Sequence, residues 1–290
     1  MAEADDGLRR RIAALGPLRE TIAAHGLSAR KGLGQHFLLD GNLTAKIAAA
    51  AGDLAGGTVV EVGPGPGGLT RALLLHGADN LVAIERDARC VEALAPLAEA
   101  AGGRLRLVAA DALTVEVAGL GPAPRRIVAN LPYNVSTPLV LRWLAQPDAI
   151  AAMVLMFQRE VADRLCAAPA SAAYGRLAVA AQWHWAVERA FDLPPSAFVP
   201  PPKVWSTVLR FVPRAAPLAA ADPALLERVT AAAFGQRRKM LRGSLRGLAA
   251  DAEALVRAAG LDPTARAETI PVEGFCALAR ALAAGAGRAQ

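Results

Sequence analysis

Between Thr58 and about Phe157, short apolar runs alternate with stretches of helical periodicity, and this alternation leaves few folds open to the chain. The apolar runs are continuous, as in GTVVEVG, NLVAIERD and AIAAMVLMFQ. Strands of that kind are buried on both faces, because helices cover both sides of a parallel sheet. The pattern therefore predicts a Rossmann-like α/β fold whose functional groups lie at the carboxyl ends of the strands.

A linker rich in proline and alanine, PRAAPLAAADPA, follows the last predicted strand, VWSTVLRFV. Beyond it, the segments ALLERVTAAAFGQRRKMLRGSLRGL and GFCALARALAA have helical periodicity and offer no further strand. We therefore predict two domains, residues 1–213 with the sheet and a small α-helical domain over residues 214–290.

Positive charge is concentrated in the second predicted domain. The chain carries a formal net charge of +6, and the window Arg228–Arg246 contains six bases and no acid. Such an excess favours a polyanionic partner. Arg238, Arg242 and Arg246 are four residues apart, so they share one face if this window is helical. The alternative is a solvated cationic helix without a partner. The candidate phosphate contacts are Arg237, Arg238, Lys239, Arg242 and Arg246.

Several classes of protein are disfavoured. No apolar run approaches the ~20 residues that span a bilayer, and the N-terminus lacks the apolar segment of a signal peptide, so we expect a cytoplasmic protein without a membrane partner. Three cysteines, Cys90, Cys166 and Cys276, lie far apart without a C-x-x-C pair. This argues against both a disulfide framework and a metal site.

A glycine-rich loop follows the first strand of the predicted sheet. In VVEVGPGPGGLTRAL, Gly63, Gly65 and Gly68 have the G-x-G-x-x-G spacing, and Glu85 ends the next strand. Glycines allow a ligand to approach the backbone closely, and a carboxylate there can accept hydrogen bonds from ribose hydroxyls. Two ligands satisfy this pattern, a dinucleotide, whose pyrophosphate would lie at the helix N-terminus, and S-adenosylmethionine. The third possibility is that the glycines only form a tight turn between strand and helix.

Polar residues also follow the later strands. Asp111 comes after the strand LRLVAA and can accept from an adenine amine or act as an N-cap. Asn130 follows the next strand, in RRIVANLPYNVS. Because the carboxyl ends of parallel strands share one edge, we expect both residues to lie near the glycine loop and Glu85.

The segment Asn130–Tyr133 suits catalysis at an exocyclic amine. An adenine amino nitrogen is a poor nucleophile, since its lone pair is delocalised into the ring. The side-chain oxygen of Asn130 and the carbonyl of Leu131 can accept hydrogen bonds from it, while Tyr133 offers a ring for the base. Positioning next to a sulfonium methyl donor then supplies most of the catalysis. A turn with a packed tyrosine is the simpler alternative.

The same segment resembles the amino-methyltransferase signature of the ribosomal RNA adenine dimethylase family. Further segments that resemble this family follow in family order from about Arg30 to Leu245. They are RKGLGQHFL (30–38), EVGPGPGGLT (61–70), AIERD (83–87), ADAL (110–113), QREVADRL (158–165), YGRLAV (174–179), FVPPPKVWST (198–207) and FGQRRKMLRGSL (234–245).

The resemblance implies an S-adenosylmethionine-dependent enzyme that dimethylates two adjacent adenines in the hairpin near the 3′ end of 16S rRNA, within an immature small ribosomal subunit. It further implies that residues 1–213 are catalytic and that residues 214–290 bind RNA. We expect a monomer that needs no metal.

Roles of single residues also follow from the resemblance. His36 and Leu38 would close over the methionine end of the cofactor, Gly63 would contact it by its backbone, Glu85 would hold the ribose and Asp111 the adenine. Asn130 would face cofactor and target, and Phe198 would pack on the target base opposite Tyr133. Trp205 departs from the family, where a small acidic residue is usual, and the segment before Lys31 is longer than usual.

Other functions stay open on the sequence alone. A nicotinamide dehydrogenase would use the same glycine loop but would leave Asn130–Tyr133 and the basic residues unexplained. A large-subunit rRNA methyltransferase of the macrolide-resistance type shares the family resemblance. The third alternative is a ribosome-assembly factor for which methylation is secondary.

Overall fold

The computed structural model describes residues 2–28 and 35–286. Residues 30–34 of the first resembling segment therefore lie outside the described residues. The chain divides into two compact units, one made of Met1–Ala162 and Glu188–Pro213, the other of Asp163–Val187 and Arg214–Gln290. The chain passes from the first unit to the second after Pro213, where a domain boundary was predicted. Residues 163–187, however, belong to the second unit instead of the first.

The first unit is built around a seven-stranded sheet with the order β4-β3-β2-β5-β6-β9-β7. Neighbouring strands from β4 to β6 are parallel, and β9 runs antiparallel to β6. The predicted Rossmann-like sheet is thereby confirmed. The strands are β2 (Thr58–Val62), β3 (Leu81–Glu85), β4 (Leu105–Ala109), β5 (Arg125–Asn130), β6 (Ala152–Gln158), β7 (Trp185–Leu193) and β9 (Ser206–Pro213); β1 (Phe37–Leu38) and β8 (Phe198–Val199) form a separate antiparallel pair.

The central strands are continuous apolar runs because both of their faces are buried. Every residue of β2 and β3 is buried. The helices of this unit are α1 (Ala2–Ala14), α2 (Leu18–Ala24), α3 (Gly41–Ala50), α4 (Gly68–Leu75), α5 (Ala88–Ala100), α6 (Ser136–Leu144) and the start of α7 (Arg159–Leu165). Asp40 and Asp87 start α3 and α5 as N-caps, since their carboxylates accept backbone N–H bonds of the first turn.

The alternation of strands and helices in the sequence does not predict helices α1 and α2, which precede it. Helix α1 nevertheless packs into the core of the first unit. Leu8 and Ile12 of α1 are buried in the same cluster as the strands. Arg9 donates to the carbonyl of Leu75 (3.3 Å) and Arg11 to that of Ala100 (2.7 Å), the last residues of α4 and α5. Both arginines thus satisfy carbonyls that a helix leaves open at its C-terminus.

The second unit consists of helices around its own apolar core. They are α8 (Arg176–His184), α9 (Pro223–Gly235), α10 (Leu241–Ser244), α11 (Ala252–Ala258) and α12 (Val272–Ala286). Residues of the segment 163–187 belong to this unit because their side chains supply part of that core: Tyr174 and Val179 lie in one buried cluster with Val229 and Phe275. The Tyr174 hydroxyl also donates to the carbonyl of Ile270 (2.9 Å).

The prediction that Arg238, Arg242 and Arg246 share one helix face is wrong, because the window 228–246 does not form one helix. Helix α9 ends at Gly235 and α10 begins at Leu241, with a turn between them. The first N–H groups of α10 bond outside the helix, from Leu241 to the carbonyl of Ala265 (2.8 Å) and from Arg242 to that of Pro263 (3.1 Å). Tertiary hydrogen bonds therefore break a segment whose local pattern favours one continuous helix.

Candidate active site

The carboxyl edge of the sheet gathers the polar residues that follow four neighbouring strands. The glycine loop follows β2, Glu85 ends β3, Asp111 follows β4 and Asn130 ends β5. The order β4-β3-β2-β5 puts these strands side by side. Strand order reverses between β2 and β5, which is where open α/β sheets bind their ligands.

Close packing explains why glycine stands at two positions of the loop. Gly63 has φ of +68°, and a Cβ there would lie 3.4 Å from Cδ of Pro132. Gly65 has φ of +54°, and its Cβ would lie 3.1 Å from the ring of Phe37. Both backbones are in the left-handed region that favours glycine, so the loop can approach Asn130–Tyr133 and β1 together.

Glu85 binds the glycine loop through its carboxylate. Oε2 accepts from the N–H of Gly65 (3.1 Å), and Oε1 accepts from those of Arg86 and Asp87 (both 2.9 Å). Burial raises the pKa of Glu85, while these three backbone bonds oppose the shift. A carboxylate has about four acceptor sites, so three are in use and one is left for a ligand.

Asp111 acts as an N-cap in the structure. Its Oδ1 accepts from the N–H of Leu113 (2.9 Å) at the start of a short 3-10 helix. Its Oδ2 lies 3.5 Å from Nη1 of Arg86. Asp111 is thus an N-cap, as one alternative had it, and it also lines the second pocket; its contact with an adenine stays a prediction.

Asn130 has its amide oriented by a neighbouring backbone group. Its Nδ2 donates to the carbonyl of His36 (3.1 Å). This bond uses one of the two N–H donors of Nδ2 and fixes the orientation of the amide, with Oδ1 as its acceptor. Leu131 has a buried side chain and lines the same pocket as Asn130.

His36 and Tyr133 form a ring pair beside this amide. Their centroids are 5.3 Å apart with an interplanar angle of 32°. Nδ1 of His36 donates to the carbonyl of Pro200 (2.8 Å), and the Tyr133 hydroxyl shares a hydrogen bond with Oγ of Ser206 (2.7 Å). Burial raises the pKa of Tyr133, so the phenol stays neutral at neutral pH.

Two adjoining pockets contain most of the predicted site residues. They share Gln35, Gly63 and Pro132. The first is also lined by His36, Leu38, Glu61, Asn130, Leu131 and Tyr133, and the second by Glu85 and Asp111. The five predicted cofactor residues besides Asn130 therefore all border these two adjoining pockets, which together form the groove at the carboxyl edge.

Glu61 is a site residue that the sequence reasoning missed. It lies in β2 directly before the glycine loop, is 1% exposed and lines the first pocket. Its Oε2 has no hydrogen-bond partner among the described residues. Burial, with a smaller contribution from the charge of Glu85, raises the pKa of Glu61 to about 8. An acid within the apolar run TVVEV was the signal that could have revealed it.

Phe198, which the resemblance places against the target base, has a buried side chain in this structure. Its side chain is 2% exposed and belongs to the core cluster of the sheet, and its backbone pairs with Leu38. No face of the ring is open to a base in this structure. Stacking of Phe198 on the target stays a prediction that requires the ring to become exposed.

The five basic candidates lie in the second unit and differ in their surroundings. Arg237 pairs with Glu268 (3.1 Å) and donates to the carbonyl of Ala172 (2.7 Å), so it holds the unit together. Arg242 lies 3.9 Å from Glu253. The side chains of Arg238, Lys239 and Arg246 are exposed and form no ion pair with any residue that the structure describes.

Two further findings concern absent features. Among the described residues, no group of three or more histidine, cysteine, aspartate or glutamate side chains could hold a metal ion. Within residues 2–28 and 35–286, no helix has both the length and the apolar character needed to cross a bilayer.

Comparison with known proteins places this geometry in a family. The family model described as "Ribosomal RNA adenine dimethylase" matches residues 26–284. A protein named "Ribosomal RNA small subunit methyltransferase A" from Rhodospirillum rubrum is 62% identical over 268 residues, which cover 92% of this chain and 93% of that protein. The protein of the same name from Paramagnetospirillum magneticum is 62% identical over 271 residues, covering 93% of this chain and 96% of its own length.

Solved structures show the same fold. A dimethyladenosine transferase from Plasmodium falciparum superposes with a TM-score of 0.72 at 22% identity, over 84% of this chain and 96% of that one. The 23S rRNA methyltransferase ErmE superposes with a TM-score of 0.63 at 26% identity, over 85% of this chain and 99% of that one.

Proposed function

The chain belongs to the ribosomal RNA adenine dimethylase family, and from this premise we propose that it dimethylates adenines of small-subunit ribosomal RNA with S-adenosylmethionine as methyl donor. The target is the pair of adjacent adenines in the hairpin near the 3′ end of 16S rRNA, in an immature subunit. The observation that carries the proposal is the amide of Asn130, which is oriented by a hydrogen bond from Nδ2 to the His36 carbonyl and lines one pocket with Leu131 and Tyr133.

The comparisons favour the small subunit over the alternatives. Relatives with 62% identity bear the small-subunit name, whereas the 23S rRNA methyltransferase shares 26%. The nicotinamide dehydrogenase interpretation is wrong, because the family is one of methyltransferases. It also assigned no role to Asn130–Tyr133.

The groove fits S-adenosylmethionine by the chemistry of its lining. Glu85 has one acceptor site left for a ribose hydroxyl, and Asp111 has a carboxylate oxygen for the adenine amine. Glu61, whose buried Oε2 has no hydrogen-bond partner among the described residues, lines the first pocket together with His36, Leu38 and the loop. A cationic ligand would favour the ionised form of that carboxyl. When bound, the cofactor supplies an electrophilic methyl group on a sulfonium.

The chain's own residues then position the target nitrogen. Oδ1 of Asn130 and the carbonyl of Leu131 accept from the adenine NH2, which favours a more tetrahedral nitrogen whose lone pair is less delocalised into the ring. The ring of Tyr133 holds the base, and its hydroxyl is fixed by Ser206. Since these groups are fixed before the substrate binds, they stabilise the transition state without reorganisation.

Outside the groove, Arg238, Lys239 and Arg246 are exposed cations of the second unit that are available for RNA phosphates. Their exposure, and the absence of ion pairs between them and any described residue, support this role. Arg242 has a weak competitor in Glu253, and Arg237 is already engaged by Glu268. We assign RNA binding to residues 214–290 on this charge distribution.

Methyl transfer to purified subunits tests the proposal. Small and large subunits from cells that lack this modification are incubated with the protein and labelled S-adenosylmethionine, and the digested RNA is analysed by mass spectrometry. We expect dimethyladenosine in small-subunit RNA alone, with primer-extension stops at two adjacent adenines. Label in large-subunit RNA would favour the macrolide-resistance type. An Asn130→Ala protein that restores subunit assembly without methylation would favour the assembly factor.

A further inference from the structure

Trp205 is exposed in a chain that otherwise buries its tryptophans. It is 46% exposed, whereas Trp143, Trp183 and Trp185 are 2%, 9% and 0% exposed. A large indole in water forgoes the stabilisation that burial would give it. The mechanism derived above gives Trp205 no role, so its exposure calls for another explanation.

The position of Trp205 is next to the active site. Because β9 is antiparallel to β6, β9 begins at the carboxyl edge of the sheet, with Ser206 opposite Gln158. Trp205 directly precedes β9, and its carbonyl accepts from the N–H of Arg159 (2.9 Å). The next residue, Ser206, shares the hydrogen bond with the Tyr133 hydroxyl. Trp205 is therefore one residue away from the group that fixes the catalytic tyrosine.

The segment 198–206 is held in place at both ends. At its start, Phe198 is buried and pairs with Leu38, and the carbonyl of Pro200 accepts from the His36 ring (2.8 Å). At its end, Trp205 is held by Arg159 and Ser206 by Tyr133. A platform that is ordered before binding loses little conformational entropy when it meets a partner.

The chemistry of this surface suits a nucleotide. Val199, Val204 and Trp205 are 52%, 43% and 46% exposed, and Lys203 is also exposed. Lys203 is the one charged residue between Phe198 and Thr207. An indole offers a face to any base, and a lysine beside it can meet the phosphate. We call these four residues the Trp205 surface.

We propose that the Trp205 surface binds an unpaired nucleotide of the RNA that flanks the target adenine, with its base stacked on the indole and its phosphate near Lys203. The inference rests on the proposed function, since it assumes an RNA in the groove. It gives the enzyme a second stacking contact outside the pocket, which helps to hold the RNA while the adenine is turned out of its helix. A protein partner at this surface is the competing possibility.

Intrinsic fluorescence tests the contact directly. The probe is an unmethylated synthetic RNA hairpin with the sequence of the 3′ end of small-subunit RNA. In the wild-type protein, we expect the hairpin to quench tryptophan emission and to reduce its accessibility to acrylamide. In Trp205→Phe, the remaining emission comes from buried tryptophans and should not respond to the hairpin.

Kinetics with unmethylated small subunits provide the second measurement. Loss of one stacked base raises KM for the RNA substrate by about 5- to 150-fold in Trp205→Ala, with KM for S-adenosylmethionine unchanged. Trp205→Phe should keep most of the affinity, because a phenyl ring still stacks. Leu141→Ala is the matched control, since Leu141 is 43% exposed on α6 and lines neither pocket.

The outcomes separate this inference from the proposed function. If the wild type methylates RNA while Trp205→Ala keeps the wild-type KM and the hairpin leaves the fluorescence unchanged, the inference is overturned and the function stands. An equal rise in KM for the RNA substrate in Trp205→Ala and Trp205→Phe would refute stacking. Stacking would also be refuted if ribosomal proteins, but not the hairpin, shielded Trp205 from acrylamide. Absence of methyl transfer by the wild type would refute the function itself.

Discussion

Replacing Glu61 by glutamine should change how the stability of the first unit depends on pH. Burial raises the pKa of Glu61 from 4.5 to about 8. Between these values the folded chain holds a proton on this carboxyl that the unfolded chain has lost. The contribution of Glu61 to stability is therefore full below the unfolded pKa and is lost as the pH rises through the folded pKa.

The size of the effect follows from linkage. One extra bound proton in the folded state lowers the free energy of unfolding by about 1.4 kcal/mol for each pH unit. From pH ~5.5 to pH ~7, a window inside the two pKa values, this amounts to about 2 kcal/mol. A glutamine side chain has a similar volume but does not titrate. The unfolding free energy of Glu61→Gln therefore lacks this dependence on pH, and the variant becomes more stable relative to the wild type as the pH rises.

The assay is urea unfolding of both proteins across that window, followed by a signal from the first unit. Other titrating groups are present in both proteins and cancel in the difference between them. We expect the difference in unfolding free energy to change by about 2 kcal/mol in favour of Glu61→Gln. Parallel pH profiles would refute the reasoning, because they would mean that Glu61 is ionised, and hence paired, in the folded state.

Three further predictions concern binding and catalysis. Asn130→Ala should lower kcat by about 10²- to 10³-fold with little change in the Kd of the cofactor, since one preorganised acceptor is lost; near-normal methyl transfer would contradict the mechanism. Glu85→Ala should weaken the binding of S-adenosylmethionine by ~1.5–3 kcal/mol, measured by calorimetry, while RNA binding is retained. Changing Arg238, Lys239 and Arg246 to alanine should flatten the slope of log K against log salt by roughly two to three units; an unchanged slope would mean that these three cations do not contact RNA phosphates.

The sheet and its site could be predicted because their signals are local. Continuous apolar runs appear where strands are buried on both faces, as in β2 and β3. A loop of glycines with positive φ, and single polar residues at strand ends, mark the carboxyl edge. The edge strand β7 was missed, because only its end residues, Trp185 and Leu193, are buried and the pattern is neither alternating nor continuous.

Features that depend on tertiary contacts could not be predicted in this way. The break between α9 and α10 arises from hydrogen bonds to the carbonyls of Pro263 and Ala265, which are distant in sequence. The membership of residues 163–187 in the second unit depends on burial of Tyr174 against α9 and α12. Phe198 is buried because its strand pairs with Leu38, and a motif comparison contains no information about that pairing.

Glu85 shows why a ligand and the glycine loop cannot be treated as independent. With three of about four acceptor sites occupied by backbone N–H groups, the carboxylate can take one ribose hydroxyl directly. A second hydroxyl would have to displace a donor, and the bond from Gly65 is the longest of the three, at 3.1 Å. Binding of both hydroxyls would therefore release the N–H of Gly65 at the point where the loop approaches the ligand. The affinity loss expected for Glu85→Ala therefore combines a missing ligand contact with a loosened loop, and it should exceed the value of one hydrogen bond.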